Sequence, residues 1–133
     1  MVDDLQALLT RARDVAVRAY VPYSRFRVGA ALEDANGKVY VGCNVESASY
    51  GLTICAERNA IFAAIAAGAA RPFRALAVTC LDAVSGGCSP CGACRQVIAE
   101  HVAPDARIRV DGLGDFTPSD LLPHGFTLQA DDA

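Results

Sequence analysis

Three cysteines and one glutamate stand at spacings that suit metal chemistry. Cys55-Ala56-Glu57-Arg58 and Pro90-Cys91-Gly92-Ala93-Cys94 each fall where a polar loop gives way to a helix-favouring stretch. Cys91 and Cys94 are three positions apart, about one helical turn, so both sulfurs can reach one ion. Cys55 offers a third thiolate from the start of another helix. Three protein ligands with an open position make the arrangement of a catalytic zinc, whereas structural zinc sites usually close with a fourth ligand. Glu57, two residues past Cys55, can face that position without binding the metal. Plainer readings exist: ordinary buried cysteines, and an acid favoured by a helix N-terminus. Agreement of spacing and flanks across both segments favours metal. Cys88 forms a second Cys-x-x-Cys with Cys91, but Pro90 stands directly before Cys91, and Cys88 is read as unliganded. Cys43 and Cys80 fall on expected strands and read as core. His101 and His124 have no ligand-like neighbours.

The elements that must position these residues follow from apolar spacing. Leu5, Leu8, Leu9, Ala12, Ala16 and Ala19 recur with helical period, which predicts a helix over Asp3 to Ala19 with Asp3 or Asp4 as its cap. Phe26 to Leu32 alternates as a strand, the Asp34-Ala35-Asn36-Gly37 run turns, and Val39 to Cys43 returns as its hairpin partner. Asn44 to Thr53 reads as loop. An Ala-rich helix is expected over Ile54 to Ala67, stopped by Gly68. Ala75 to Cys80 has the unbroken apolar character of a buried strand. Asp82 to Pro90 reads as loop and Cys91 to His101 as helix. Ile108 and Val110 suggest a strand, and Thr117-Pro118 opens a short helix. The order implies an α/β protein: a three-layer α/β/α sandwich on a central mixed sheet of about five strands. No repeat, linker or low-complexity tract divides residues 1–133, which read as a single domain.

Composition narrows the function. The chain has 133 residues, 53% hydrophobic and 20% charged, with a net charge of −3. That is ample apolar material for a core and too little charge for disorder. An acidic balance disfavours nucleic acid as a partner. A membrane span needs about 20 consecutive apolar residues, and the longest stretch, Ala60 to Ala70, falls short and contains Gly68. The acidic N-terminus lacks a signal pattern. Six cysteines are too sparse for a disulfide scaffold, and clustered cysteines in a reducing compartment more often hold metal. A soluble, cytoplasmic protein is the expectation.

The two cysteine motifs match the signature of the zinc-dependent deaminases, in their three-cysteine form. The chain more closely resembles the small homotetrameric cytidine deaminases over nearly its whole length. The resemblance rests on Pro22-Tyr23-Ser24-Arg25-Phe26, Val28-Gly29-Ala30-Ala31, Gly42-Cys43-Asn44-Val45-Glu46, Cys55-Ala56-Glu57-Arg58, Ser89-Pro90-Cys91-Gly92-Ala93-Cys94-Arg95-Gln96 and Leu121-Leu122-Pro123. It implies one zinc ion per subunit and hydrolytic deamination of cytidine and deoxycytidine to uridine and deoxyuridine in pyrimidine salvage. Zinc brings the pKa of its water from about 15.7 towards 7, an acidity that three thiolates would blunt. Two helix N-termini and Arg58 are expected to offset their charge. Glu57 is expected to carry the water's proton to the ring and then to the leaving ammonia. The resemblance further implies that Asn44 and Glu46 hold sugar hydroxyls and Phe26 walls the pocket. It implies also that Ala48, Tyr50 and Phe126 reach a neighbouring subunit's site. Arg95 reads as an interface or packing residue, with metal-site support as the alternative. Two rival functions stay open: a deaminase of another nucleoside or base, and a non-catalytic zinc module closed by Cys88.

Overall fold

A computed structural model describes residues 4–84 and 88–128. Its five strands form one mixed sheet in the order β2-β1-β3-β4-β5. The strands are β1 Val28–Glu33, β2 Val39–Cys43, β3 Phe73–Cys80, β4 Val102–Val110 and β5 Gly114–Phe116. Only β3 and β4 run parallel; the other pairs are antiparallel. The helices are α1 Asp4–Ala16, α2 Ala56–Ala66, α3 Gly92–His101 and α4 Pro118–Leu121. Apolar side chains alternate across β1 and β3 and so feed two cores. Ala31 and Ala77 meet Leu5, Leu8, Leu9 and Ala12 of α1 on one face. Leu32, Leu76, Val78 and Ile108 meet Ile61, Ala64 and Ile98 of α2 and α3 on the other. The expected three-layer sandwich is therefore the observed one. No helix among the described residues is long and apolar enough to cross a membrane.

Two glycines set how close the layers come. A Cβ on Gly29 would lie 2.0 Å from the Ala12 carbonyl oxygen, and one on Gly42 would lie 2.3 Å from the Ala60 nitrogen. Helix α1 thus rides on β1, and α2 on β2, at backbone distance.

The element boundaries depart from expectation for physical reasons. Helix α1 stops at Ala16, not Ala19, because Arg18 and Ala19 donate to carbonyls three residues back and Tyr20 donates instead to the Asn44 carbonyl. Asp4 is already helical, so it does not cap; Asp3 lies outside the described residues. Strand β1 starts at Val28 rather than Phe26. Strand β4 begins at Val102, directly after α3, with a register shift between the Phe73 and Ala75 pairings that accommodates Pro104, which has no N–H to donate. The individual strand β5 has no counterpart in the apolar spacing: its three residues are held by pairing to β4 and by Arg109 forking onto Asp115 at 2.8 and 3.0 Å. Helix α4 opens as expected, with Pro118 in its first turn. Its capping box has Thr117 Oγ1 accepting from the Asp120 N–H and Asp120 accepting from the Thr117 N–H.

Candidate metal centre

Both motif helices begin at a cysteine. Cys55 is the N-cap of α2 and Cys91 the N-cap of α3, each in extended backbone conformation and neither spending its side chain on a cap bond. Cys91 therefore precedes α3 rather than opening it. Cys94 lies in the first turn of α3, fully buried. The sulfurs of Cys55, Cys91 and Cys94 all lie within 4.8 Å of one another, with Cys55 and Cys91 3.7 Å apart. Two helix N-termini thus converge on three thiols, which favours negative charge there.

The donor chemistry fits a soft cation. The Cys94 hydrogen bond, followed by Arg58, draws the Cys55 thiol down to about 5. Cys94, bonded to Cys55 and buried, is held far above the ordinary thiol range. A metal ion takes cysteine as thiolate, so the three gathered sulfurs form a donor set that such an ion would ionise together. Arg58 stands beside them, Nη2 3.5 Å from the Cys55 sulfur, and its Nε is buried without a partner. Contact with Cys55 raises the Arg58 pKa further, so it stays cationic. Glu57 is only 4% exposed, and burial pushes its carboxyl up to about 7. A carboxyl poised there can hold or release a proton near neutrality.

Cys88 is not in the cluster. Its thiol sits against Cys80, and burial raises it to about 12. Cys43 and Cys80 end β2 and β3 half-buried, rather than in the core. Arg95 does not reach the sulfurs: it donates to the Pro90 carbonyl at 2.7 Å, the Leu121 carbonyl at 2.8 Å and the Ser89 hydroxyl at 2.6 Å. It is a packing residue that fastens the Cys91 loop to α4.

The expected sugar contacts lie close by in the chain's pairing. Val45 exchanges backbone bonds with Ile54, both at 3.0 Å, which brings the 44–46 segment beside Cys55. Asn44 and Glu46 also serve the fold. Asn44 accepts from the Val28 N–H and donates to the Phe26 carbonyl, each at 2.9 Å. Glu46 accepts from the N–H groups of Tyr23 and Ser24 and from the Ser24 hydroxyl. Phe26 is 38% exposed. Ala48, Tyr50 and Phe126 are not gathered around the cysteines: all three are exposed, Tyr50 edge-on to Tyr23 at 6.2 Å and Phe126 tethered by its carbonyl to Gln96 at 3.1 Å. A groove of about 700 Å³ runs along α3, α4 and Phe126 and includes none of the three cysteines.

The apolar and motif spacing missed two positioning groups. Arg27 forks onto Asp82 at 2.9 and 3.0 Å, joining the start of β1 to the segment after β3. Asn59 donates to the Cys43 carbonyl at 2.8 Å, joining α2 to the end of β2. Their partners are far off in sequence, and no local pattern signals them.

Residues 2–108 match the family model described as the cytidine and deoxycytidylate deaminase zinc-binding region. The chain is 47% identical to the cytidine deaminase of Halalkalibacterium halodurans over 95% of its own length and 96% of that protein's. It is 44% identical to the cytidine deaminase of Sporosarcina psychrophila over 93% and 92% of the two chains. Its fold matches the crystal structure of cytidine deaminase from Burkholderia pseudomallei with a TM-score of 0.83 at 46% identity, covering 95% of this chain and all of that one.

Proposed function

The chain belongs to the cytidine and deoxycytidylate deaminase family, and from that premise we propose that it hydrolyses cytidine and deoxycytidine to uridine and deoxyuridine, releasing ammonia. The observation that carries this reading is the convergence of three thiols from two helix starts beside a buried carboxyl poised near neutrality. Cys55, Cys91 and Cys94 are the residues that would hold zinc, one ion per chain. When bound, zinc supplies the Lewis acidity that makes water nucleophilic near neutral pH.

The remaining work falls to the chain. Glu57 takes a proton from the attacking water and delivers it to the ring nitrogen. Addition leaves a hydroxyl and the amine on the same carbon; Glu57, unprotonated again, takes the hydroxyl proton and passes it to the amine, so that the carbonyl forms as ammonia departs. Its burial keeps bulk water from competing for the proton. Arg58 holds positive charge against the thiolates. Asn44 and Glu46 bind a sugar hydroxyl, one as donor and one as acceptor, while Phe26 walls the ring.

The oligomer is a homotetramer in this reading, with Ala48, Tyr50 and Phe126 completing a neighbour's site. Their exposure supports it, as does the apolar outer face of α2 at Phe62 and Ile65. Thiols kept reduced to serve a metal suit the cytoplasm, where the product would enter pyrimidine salvage. The alternative of a zinc module closed by Cys88 loses its footing, because Cys88 packs on Cys80.

Zinc content of the purified protein, with ultraviolet assays on cytidine, deoxycytidine and cytosine, tests the reading. One zinc per chain and turnover of both nucleosides but not the free base is expected. Zinc-loaded protein inert on both nucleosides would overturn it.

A further inference from the structure

Ser24 belongs to a segment that carries part of the family resemblance, yet no step of the proposed reaction uses it. Its hydroxyl donates to Glu46 Oε2 and accepts from the Phe26 N–H at 3.0 Å. The N–H groups of Tyr23 and Ser24 both donate to Glu46 Oε1 at 3.1 Å. The Phe26 carbonyl is taken by Asn44. Both backbone polar groups of Phe26 are thus held by side chains, although loop groups of this kind are ordinarily left to water. Arg25, between them, stands at φ 59, a left-handed conformation for a non-glycine residue, with its N–H on the Val21 carbonyl at 2.9 Å. Such a conformation persists where surrounding bonds over-determine it.

We propose that Ser24 is a positioning residue for substrate binding, its hydroxyl locking the Glu46 carboxylate to the Phe26 backbone so that the sugar-facing acceptor and the ring-facing wall keep one relative geometry. This rests on the reading of Glu46 and Phe26 as substrate contacts. An ionised carboxylate has roughly four lone-pair sites. Three are occupied by the chain's own donors, which leaves Oε2 to face a sugar hydroxyl. The carboxylate cannot swing without breaking those three bonds, so its aim is set before substrate arrives, and binding need not order it. The Ser24 hydroxyl is also the largest influence holding the Glu46 carboxyl below its ordinary range, ahead of the Ser24 and Tyr23 backbone donors.

The test is a steady-state cycle on zinc-loaded enzyme with cytidine: Ser24→Ala, Glu46→Ala, the double variant, and Ser24→Thr. Ser24→Ala is expected to raise KM ~10-fold, the scale of one hydrogen bond to a charged group, with kcat within about twofold. Ser24→Thr, which keeps the hydroxyl, should restore most of the KM. In the Glu46→Ala background the Ser24→Ala step should add less than about twofold, because the residue it acts through is gone. A Ser24→Ala effect undiminished in that background, or absent where Glu46→Ala alone raises KM, would overturn the proposal. An unchanged KM in Glu46→Ala instead removes the substrate-contact reading, and the proposal falls with it. Should the alanine variant lose zinc or melt early, Ser24→Cys, with a weaker donor in the same place, should give an intermediate KM; a wild-type KM there would also overturn it.

Discussion

At the residue scale, Glu57 and Arg58 separate cleanly because one moves protons and the other holds charge. Glu57→Gln keeps size and polarity but removes the titrating group, so turnover should fall by about 10²–10⁴-fold with zinc content and melting midpoint unchanged. Parallel metal analysis and single-substrate kinetics check this. Arg58→Ala leaves the thiolates without their nearest cation and makes a bound zinc more electron-rich. The acid limb of the pH–rate profile should then move to higher pH, and an unmoved limb would reduce Arg58 to a packing residue. The Cys91–Cys94 and Cys55–Glu57 pairs are legible because each spacing is local: one helical turn, and two residues past a cap. That the two pairs meet across 36 positions is in neither spacing and comes only with the family resemblance. The double duty of Asn44 and Glu46 is not legible. Their own-chain partners lie 16 to 23 positions away, and a carboxylate that folds a loop is indistinguishable in sequence from one that waits for a ligand.

At the element scale, the Arg27–Asp82 fork and the Arg95 tie decide how the loops around the metal motifs are held. Arg27, through its side chain and then its backbone N–H, holds the Asp82 carboxyl down to about 2. A carboxyl depressed in the folded state lends stability above its ordinary range, near pH 4, and loses it as pH falls towards 2. Asp82→Asn should therefore melt below wild type at neutral pH, with the gap closing as pH drops through that window. Thermal denaturation across the acid range reads this directly. Arg95→Ala removes two bonds to the Cys91 loop and one to α4, so zinc should dissociate faster in a chelator competition while α2 keeps its fold. Helices with strong apolar period were located to within a turn from sequence. Strand β5 was not, since three residues carry no period, and the early start of β4 was masked by Pro104, which reads as a break until the register shift beside it is seen.

At the scale of the whole molecule, Val17, Tyr20, Tyr23, Val45, Tyr50 and Leu52 are all exposed, as are Phe62 and Ile65 on α2. Tyr20 is bridged to Val45 and Tyr23 meets Tyr50 edge-on, and contiguous exposed apolar surface is what marks an interaction face. The active species should sediment as a tetramer at assay concentration, and Phe126→Ala should raise KM more than it lowers kcat, because stacking on a ring is worth roughly 0.5–1.5 kcal/mol beyond burial. An active monomer would refute the shared site. The layered α/β/α class followed from the order of elements. The strand order β2-β1-β3-β4-β5 did not, because adjacency between β1 and β3 is settled by which faces pack and leaves no trace in either strand's own pattern.

The backbone-distance contacts at Gly29 and Gly42 also shape what mutation can explore. Every codon change that replaces a glycine begins by adding a Cβ, whatever else the new residue brings. At these two positions the nearest space is already taken by helix backbone, so chemical similarity offers no gradation. Alanine is as foreign there as tryptophan. In a saturation library both columns should be empty from end to end, whereas Gly51, with open space around it, should fill. The sheet's first two strands therefore hold two letters that drift cannot rewrite one base at a time, however freely the surface around them changes.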